Sequence, residues 1–326
     1  MSDQCSWPCF GTSLFIVVSF MMTGTLLVYQ SDSLEPASMP VHKLNGYLTE
    51  QIGVGLLVGP EDVVYSSSSR LIYTGCEDGW IKRVTVNNSA ADSVVENWVN
   101  TGGRPLGLAL GRQDEVIVAD PEKGLLNISK QGQVEKLTAE VEGQKLKLID
   151  SVDIAENGMI YFTEASNKYS LNEFMSDIVE GKPHGRLLSY DPTTKRTRVL
   201  LHDLYFANGL AVTPDQNYVI FCETVMKRCR KYCIQGKKKG SVKKFIDLPG
   251  LPDNIRYDGR GHYWISIAMA KASYHSWDQP EDLEEKGGIL VVDTNGYPTA
   301  QYYDSELSLV SSGMQIGNYV YCGSLF

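Results

Sequence analysis

The 326-residue chain is 43% apolar and carries a net charge of −9, from 30 Lys and Arg residues against 39 Asp and Glu residues. This apolar content is ordinary for a globular protein, and the length permits a large buried core. The acidic balance argues against a nucleic-acid partner, because binding to phosphates requires a basic face. We therefore expect a folded protein that does not bind nucleic acid.

The first notable element lies near the N-terminus, where no charged residue occurs from Phe10 to Tyr29. About 20 such residues match the bilayer core, so this stretch predicts a hydrophobic helix within an N-terminal segment of residues 1–38. The length and the lack of a preceding Lys or Arg favour an uncleaved signal-anchor, with a cleaved signal peptide as the alternative. Either one predicts entry into the secretory pathway, with the remaining chain in the vacuole or the endoplasmic reticulum and endomembrane lumen. The membrane would then be a partner through this segment.

Residues 39–326 contain six copies of one pattern, in which a lead residue precedes an apolar strand, a polar turn and a second apolar strand. The copies are Glu61–Tyr73, Leu106–Val118, Asp150–Phe162, Asn208–Phe221, Asp253–Ile265 and Ser312–Tyr321. Their starts lie roughly 45 to 60 residues apart, a spacing typical of β-propeller blades. The pattern predicts an all-β, six-bladed β-propeller, and a β-sandwich of the same strands is the alternative. The last copy ends the chain, so we expect a shortened sixth blade or ring closure by the segment after Met39.

Sequons and cysteines bear on the compartment. Asn87 and Asn127 begin N-glycosylation sequons, which agrees with a lumenal location. The cysteines after the N-terminal segment are Cys76, Cys222, Cys229, Cys233 and Cys322. Their spacing matches no zinc signature, and most are expected to be buried thiols. A disulfide from Cys222 to Cys229 or Cys233, across one predicted hairpin, is the pairing to test.

One segment departs from the strand pattern. Leu171–Glu180 has apolar residues at helical spacing with polar residues opposite, which predicts a short amphipathic helix inserted in the third copy. This helix is either a lid at the channel mouth or a surface insertion. His184 follows it and is a candidate general acid or base, with a structural role as the alternative.

The lead positions of the copies point to a binding site. They are Glu61, Leu106, Asp150, Asn208, Asp253 and Ser312. If the copies are blades, these positions converge on one central channel, and four of them offer a carboxylate or amide oxygen. Such oxygens are the ligands of calcium, so we expect a channel site from Glu61, Asn208 and Asp253, with Asn254 and Asp150 adding further ligands. The alternative is that these residues only cap strands and turns.

Five segments together resemble a known family. They are Gly102–Leu108, Asp150–Ser166, Gly185–Pro192, Phe206–Leu210 and Leu248–Ile255. As a set they resemble the strictosidine synthase-like family of plants, which is related to the adipocyte plasma membrane-associated protein. The resemblance covers nearly everything after about Met39. It implies a six-bladed propeller and kinship with the calcium-dependent gluconolactonase, paraoxonase and phosphotriesterase propellers.

The resemblance implies a channel calcium on the same lead residues, with two departures. An asparagine that the hydrolase relatives use as a ligand falls at Ile149, which cannot bind a cation, and Asp150 is the residue available to compensate. True strictosidine synthase uses a glutamate near the start of its sixth blade. In this chain the corresponding stretch, Val310–Gln315, contains no carboxylate. The family name by itself therefore does not define the activity.

The pattern and the resemblance together predict a hydrolase of the endomembrane system that acts on a small ester or lactone. Calcium would serve as a Lewis acid, and the base that activates water is not assigned. No nucleophile elbow, phosphate loop or dinucleotide fingerprint occurs in the sequence. Two alternatives stay open. One is a condensation of an amine with an aldehyde, as in alkaloid biosynthesis, and the other is a non-catalytic propeller that binds a protein or a small molecule.

Overall fold

Short antiparallel strands make up nearly all of the fold. The computed structural model describes residues 26–30, 41–43, 49–85, 90–268, 287–303 and 309–324. The first three strands are β1 (Leu26–Gln30), β2 (Val41–Lys43) and β3 (Thr49–Ile52). Two of them, β1 and β3, pair with each other and contribute to the last sheet of the molecule.

Five blades follow, and each contains four consecutive strands in an antiparallel sheet. Blade one has β4 (Val63–Ser66), β5 (Leu71–Gly75), β6 (Trp80–Thr85) and β7 (Val94–Asn100). Blade two has β8 (Leu108–Leu110), β9 (Val116–Asp120), β10 (Gly124–Ile128) and β11 (Val134–Thr138). A two-stranded hairpin then precedes blade three, with β12 (Glu140–Val141) and β13 (Gln144–Lys145).

Blade three carries the only α-helix of the described residues. Its elements are β14 (Leu148–Ile154), β15 (Ile160–Ser166), α1 (Phe174–Glu180), β16 (Gly185–Asp191) and β17 (Arg196–Leu204). A 3₁₀ turn at Leu171–Glu173 leads into α1. The helix predicted for Leu171–Glu180 is therefore confirmed, and it lies between the second and third strands of its blade.

The remaining strands complete two more blades and one further sheet. Blade four has β18 (Ala207–Val212), β19 (Tyr218–Glu223), β20 (Arg228–Cys233) and β21 (Val242–Asp247). Blade five has β22 (Leu251–Tyr257), β23 (His262–Ala268), β24 (Gly288–Asp293) and β25 (Pro298–Tyr303), with β2 added in parallel at its outer edge. The last two strands are β26 (Val310–Ile316) and β27 (Tyr319–Ser324).

The hydrophobic core lies between the blades, because the two faces of each sheet pack on different neighbours. In β19, Ile220 packs toward blade five and contacts the cluster that contains Ile255. The flanking Val219 and Phe221 pack toward blade three, in a cluster with Leu187. Side chains that alternate across a strand thus fill two interfaces at once. This arrangement explains why the middle strands are apolar at nearly every position.

The structure confirms an all-β propeller and corrects the predicted number of blades, because the described residues form five blades of four consecutive strands rather than six. The sixth copy of the pattern forms β26 and β27, which share a sheet with β1 and β3 in the order β26-β27-β1-β3. Strand β27 pairs with β26 on one side and with β1 on the other, so β1 covers an edge of β27 that would otherwise expose its backbone groups. Strand β3, which belongs to the segment after Met39, pairs with β1 in this sheet.

Strand β1 covers the end of the stretch for which a hydrophobic helix is predicted. The boundary at residue 38 places Leu26–Tyr29 outside the propeller, whereas these residues lie in β1 and pair with β27. A short apolar run fits a strand as well as part of a helix. The helix predicted for the rest of the stretch stays a prediction. Residues 1–25 lie outside the described part. Within the described part, no helix is long and apolar enough to span a membrane.

The sequons fall in two different situations. Asn87 lies outside the described residues. Asn127 lies in β10, with neighbouring strands on both sides, and its side chain is half-buried. The Asn127 Oδ1 atom is buried without a hydrogen-bond partner. Glycosylation at either residue stays a prediction, and Asn127 is in a strand rather than in a surface loop.

A disulfide joins Cys222 to Cys229, which face each other across the β19–β20 hairpin with their Cα atoms 4.0 Å apart. This confirms the first of the two predicted pairings. Cys76 and Cys233 are free thiols, and both are buried, as is Cys322. Cys233 instead donates its thiol to the Gln235 carbonyl oxygen at 3.1 Å.

Removing this disulfide should lower the stability of the protein. In the Cys222→Ala/Cys229→Ala variant we expect a loss of about 2 kcal/mol, because the bridge closes a short loop in the unfolded chain. Chemical denaturation of wild type and variant measures the difference. A reducing agent should lower the wild-type midpoint and leave that of the variant unchanged. Equal midpoints for the oxidised wild type and the variant would contradict a stabilising role.

Candidate metal centre in the propeller channel

The inner strands of three blades are irregular where the predicted ligands lie. The pairing register shifts between Ile149 and Val152 in β14, between Ala207 and Leu210 in β18, and between Pro252 and Ile255 in β22. Each shift brackets one of the lead positions. Such bulges change the direction in which a side chain points and are frequent beside functional sites. They allow polar side chains to face the channel from strands whose other residues face the core.

The bulge in β14 separates the roles of Ile149 and Asp150. Ile149 is fully buried in the core between blades two and three, in a cluster with Phe162 and Leu188. The Asp150 carboxylate joins the acidic group in the channel. Ile149 is therefore a packing residue. Although Ile149 cannot bind a cation, blade three still offers an oxygen to the centre through the Asp150 carboxylate.

Three carboxylates from different blades meet in the channel. One oxygen from each of Glu61, Asp150 and Asp253 lies within 4.8 Å of the other two. Asn254 Nδ2 donates to Glu61 Oε1 at 2.6 Å, and the Asn208 side chain hydrogen-bonds to Asp253. The structure thus brings together all five residues that the sequence predicts as ligands.

Three oxygens of this group are buried and have no hydrogen-bond partner. They are Glu61 Oε2, Asn208 Oδ1 and Asn254 Oδ1. A buried polar atom without a partner is costly, and such atoms need an explanation in a ligand, a water or a strained site. Together with the carboxylates of Asp150 and Asp253, they form an oxygen-only donor set of mixed charge. This is the donor chemistry that calcium prefers.

The electrostatics of the centre oppose three simultaneous negative charges. Burial raises the pKa of Glu61 well above its usual range, Asp253, Asp62 and Asp150 raise it further, and Arg104 lowers it. Burial, followed by the charge of Asp62, raises the pKa of Asp150 to about 7. Burial and the charge of Asp150 likewise raise the pKa of Asp253, against the hydrogen bond from Asn208. The centre therefore holds its protons more tightly than separate carboxyl groups would.

A ring of hydroxyl groups holds the backbone around the centre. Ser311 and Ser312 donate to the Glu61 carbonyl oxygen at 2.5 and 2.8 Å. Ser266 donates to the Asn254 carbonyl oxygen at 3.0 Å, and Thr163 to the Asn208 carbonyl oxygen at 2.8 Å. These contacts tie each inner strand to the strand beside it or to the next blade.

These hydroxyl groups were not predicted, although the sequence carries a signal for two of them. Thr163 and Ser266 each follow the lead residue of their own repeat by 13 positions, as does Thr74 of blade one, whose hydroxyl has no hydrogen-bond partner. All three side chains are buried in strands that otherwise contain mainly apolar residues at the core positions. A repeated polar position within an apolar strand therefore marks the support of the channel.

Arg104 also belongs to the surroundings of the centre and was not predicted to do so. Its guanidinium donates to the carbonyl oxygens of Gly59, Gly75 and Pro105 at distances of 2.9 to 3.4 Å. Burial lowers its pKa, and the negative charge of Glu61 opposes that shift. Arg104 thus provides positive charge near Glu61 from blade two, whose lead position is the apolar Leu106.

Asp62 directly follows Glu61 and has a structural role. Its carboxylate accepts hydrogen bonds from the backbone N–H groups of Val63 and Leu108, each at 2.8 Å. Arg256 of blade five also pairs with Asp62 and donates to the Leu108 carbonyl oxygen. The Asp62 side chain therefore connects blades one, two and five, with its oxygens occupied by protein donors.

A buried apolar cluster lies close to the lead positions. Leu106, Leu148 and Phe206 pack together in it, each at or within two residues of a lead position. The insertion of blade three packs on this cluster through Leu171, Phe174 and Ile178. Helix α1 is therefore held by residues close in sequence to the lead positions, and both the lid and the surface interpretation of the insertion stay open.

His184 lies at the foot of the insertion and outside the acidic group. Its Nδ1 is 3.1 Å from Asp177 Oδ2, and its Nε2 is 3.7 Å from Glu180 Oε2. Ser166 also donates to Asp177, and Tyr169 packs edge-on against the imidazole ring. The described contacts of His184 therefore connect α1 to strands β15 and β16.

Fold and site together define a class of protein, namely a β-propeller with a buried acidic centre in its channel. Solved structures agree on the fold. A gluconolactonase from Xanthomonas campestris superposes with a TM-score of 0.59 over 81% of this chain and 85% of its own, at 16% identity. A calcium-binding regucalcin from Agrobacterium tumefaciens gives a TM-score of 0.57 over 79% and 78%, also at 16% identity. At this identity the likeness concerns the fold alone.

The sequence comparisons identify the family. The strictosidine synthase family model matches residues 150–237, and the model of the strictosidine synthase-like N-terminal region matches residues 48–84. Protein strictosidine synthase-like 4 of Arabidopsis thaliana is 49% identical over 96% of this chain and 92% of its own length. The adipocyte plasma membrane-associated protein of Gallus gallus is 33% identical over 68% of this chain and 56% of its own length. The chain belongs to the strictosidine synthase-like family, as the resemblance indicates.

Proposed function

We propose that this protein is a hydrolase of small organic esters or lactones with a calcium ion in its channel. The observation that carries the proposal is the group of three carboxylates, two buried and that of Asp253 half-buried, in which Glu61 Oε2 and the adjacent Asn208 Oδ1 and Asn254 Oδ1 have no hydrogen-bond partner. A divalent cation fits this group because it would neutralise the negative charges and give the unpartnered oxygens a contact. Glu61, Asp150, Asn208, Asp253 and Asn254 would hold it.

The chemistry follows from the position of these groups. When bound, calcium supplies Lewis-acid polarisation of a carbonyl oxygen. The apolar cluster of Leu106, Leu148 and Phe206 would bind the organic part of a substrate, and the insertion above it would exclude water. The base that activates water stays unassigned. His184 contacts Asp177 and Glu180 rather than the acidic group, which favours a positioning role at the insertion.

We expect hydrolysis of members of an aryl-ester and lactone panel by the purified protein, with activity that is lost on chelation and restored by calcium. The Glu61→Gln variant should lose at least about tenfold in activity, because the metal affinity depends on this carboxylate. The matched control is Asp247→Asn, which removes an exposed carboxylate from β21. No hydrolysis of any panel member by calcium-loaded protein would contradict the proposal.

The structure offers little support for an amine–aldehyde condensation. The position of the synthase glutamate falls in β26, where Ser311 and Ser312 donate their hydroxyl groups to the Glu61 carbonyl oxygen. A hydroxyl in this arrangement cannot deprotonate an amine, and Val310–Gln315 contains no carboxylate. A non-catalytic binding propeller is the second candidate. It is favoured by the fact that no residue is assigned as the base that would activate water for hydrolysis. Calcium binding without hydrolysis would distinguish it from the enzyme.

Two further parts of the proposal concern architecture and compartment. We propose that the sheet β26-β27-β1-β3 serves as the sixth blade, supported by its packing against Trp264 of blade five and Val63 of blade one. We also propose a lumenal location in the endomembrane system. The Cys222–Cys229 disulfide supports it, because such bridges persist in oxidising compartments.

A further inference from the structure

The loops at one end of the propeller carry most of the exposed apolar side chains. We define the channel-mouth face as the end where the inner strands begin and where the acidic centre lies. It includes the turns and loops at residues 53–60, 76–79, 120–123, 167–184 and 224–227, which follow or precede strands at that end. The connections at the other end, such as the β24–β25 turn, form the opposite face.

The exposed apolar residues are unevenly distributed between these two faces. Ten large apolar residues are exposed in the described part of the chain, and seven belong to the channel-mouth face: Val54, Leu56, Val58, Met175, Val179, Met226 and Leu309. Val94, Val134 and Tyr297 lie toward the opposite face. Isolated exposed apolar residues are normal on a soluble protein, whereas their concentration around one opening marks an interaction surface.

Helix α1 is apolar on two sides, which packing within the propeller does not explain. Phe174 and Ile178 pack on the buried apolar cluster. Met175 and Val179, one turn apart on the outer side, are 54% and 80% exposed. A helix that only covered the channel would need one apolar side. The outer side of α1 is therefore suited to an apolar partner beyond the propeller.

The chain itself indicates what that partner is. Leu26 pairs with Ile52, which directly precedes the loop that carries Val54 and Leu56. Strand β1 therefore begins at the channel-mouth face. The residues immediately before it, Phe10–Thr25, include no charged side chain and are strongly apolar in sequence. The apolar sequence therefore joins the described part of the chain, at Leu26, at the same end of the propeller as the exposed apolar residues.

We propose that the channel-mouth face lies against a lipid bilayer, with Val54, Leu56, Met175 and Val179 in the interfacial region. Apolar side chains on loops and short helices insert to that depth, and several weak insertions add to one stable orientation. This orientation directs the channel opening toward the membrane and the opposite face away from it. The surface does not depend on the chemistry in the channel, so it holds whether or not the protein is a hydrolase.

Site-directed fluorescence on the full chain tests this orientation. In a Cys5→Ser/Cys9→Ser background, a polarity-sensitive probe is placed at Val179→Cys or Leu56→Cys, and at Tyr297→Cys on the opposite face as the control. The protein is reconstituted in phosphatidylcholine vesicles with and without nitroxide-labelled lipid. Probes at positions 179 and 56 should shift to shorter wavelength and lose most of their emission to the nitroxide. The probe at 297 should show neither change.

A second pair of variants separates the surface from the N-terminal segment. Met175→Ser/Val179→Ser should reduce the lipid quenching of the probe at position 56, whereas Val94→Ser/Val134→Ser should not. All four side chains are exposed, so neither variant should impair folding. Equal quenching at positions 179 and 297, or none at either, would overturn the proposal. Emission shifts without lipid quenching, together with dimers in cross-linking, would assign the face to a second copy of the chain instead.

Discussion

Replacing Asp253 by Asn is expected to abolish the calcium-dependent rise in the melting temperature of this protein. Calcium at about 100 times its dissociation constant stabilises a folded protein by about 2.7 kcal/mol, or roughly 5 °C for a domain of this size. Asp253→Asn keeps the shape of the side chain and removes one of the three charges that would hold the cation. In metal-free protein the same change should raise the melting temperature, because it relieves repulsion with Asp150 and Glu61.

This prediction is specific because Asp253→Asn should change the melting temperature in opposite directions with and without calcium. Thermal melting with and without calcium, for wild type and variant, should give curves whose order reverses when the ion is added. The Asp247→Asn control removes an exposed carboxylate of β21 and should respond to calcium as the wild type does. An undiminished calcium response in Asp253→Asn would show that the stabilising ion binds elsewhere. No response in either protein would show that the centre does not bind calcium.

The contribution of the acidic centre to the stability of the metal-free protein should fall as the pH rises from about 4 to about 7. Burial raises the pKa values of Glu61 and Asp253, and burial with the charge of Asp62 raises that of Asp150 to about 7. A carboxyl group with a higher pKa in the folded chain than in the unfolded chain binds more protons when folded. Its contribution is fully present below about pH 4 and is lost as the pH approaches the folded-state pKa.

Calcium should oppose this loss, because the cation replaces protons at the same oxygens and binds better as they leave. Denaturant unfolding across the pH range, on protein stripped of metal and on calcium-loaded protein, measures both trends. Asp150→Asn should flatten the metal-free profile, since the amide cannot titrate, whereas the Asp247→Asn profile should follow the wild type. A metal-free profile of Asp150→Asn that matches the wild type across this range would contradict the elevated pKa of Asp150.

The repeated register of the sequence was sufficient to predict several features of this protein. Apolar strands that alternate with polar turns at a constant spacing cannot bury their faces alone, so they predict blades that pack on each other. The lead positions of blades one, three, four and five predicted an oxygen-rich centre. The structure brings the three carboxylates together and places the Asn208 side chain in a hydrogen bond to one of them, Asp253. The insertion at Leu171–Glu180 was equally visible, because a period of 3.6 residues differs from the period of two in a strand.

Tertiary structure decided the features that depend on contacts between distant segments. Ile149 and Asp150 are adjacent, and only the bulge in β14 determines that the carboxylate faces the channel while the isoleucine enters the core. Arg104 acquires its place near Glu61 because three backbone carbonyl groups of the blade junction bind its guanidinium. The last sheet joins β27 to β1, almost three hundred residues earlier, because a free strand edge pairs with whichever segment the closed ring brings beside it. No local pattern in the sequence specifies such a pairing.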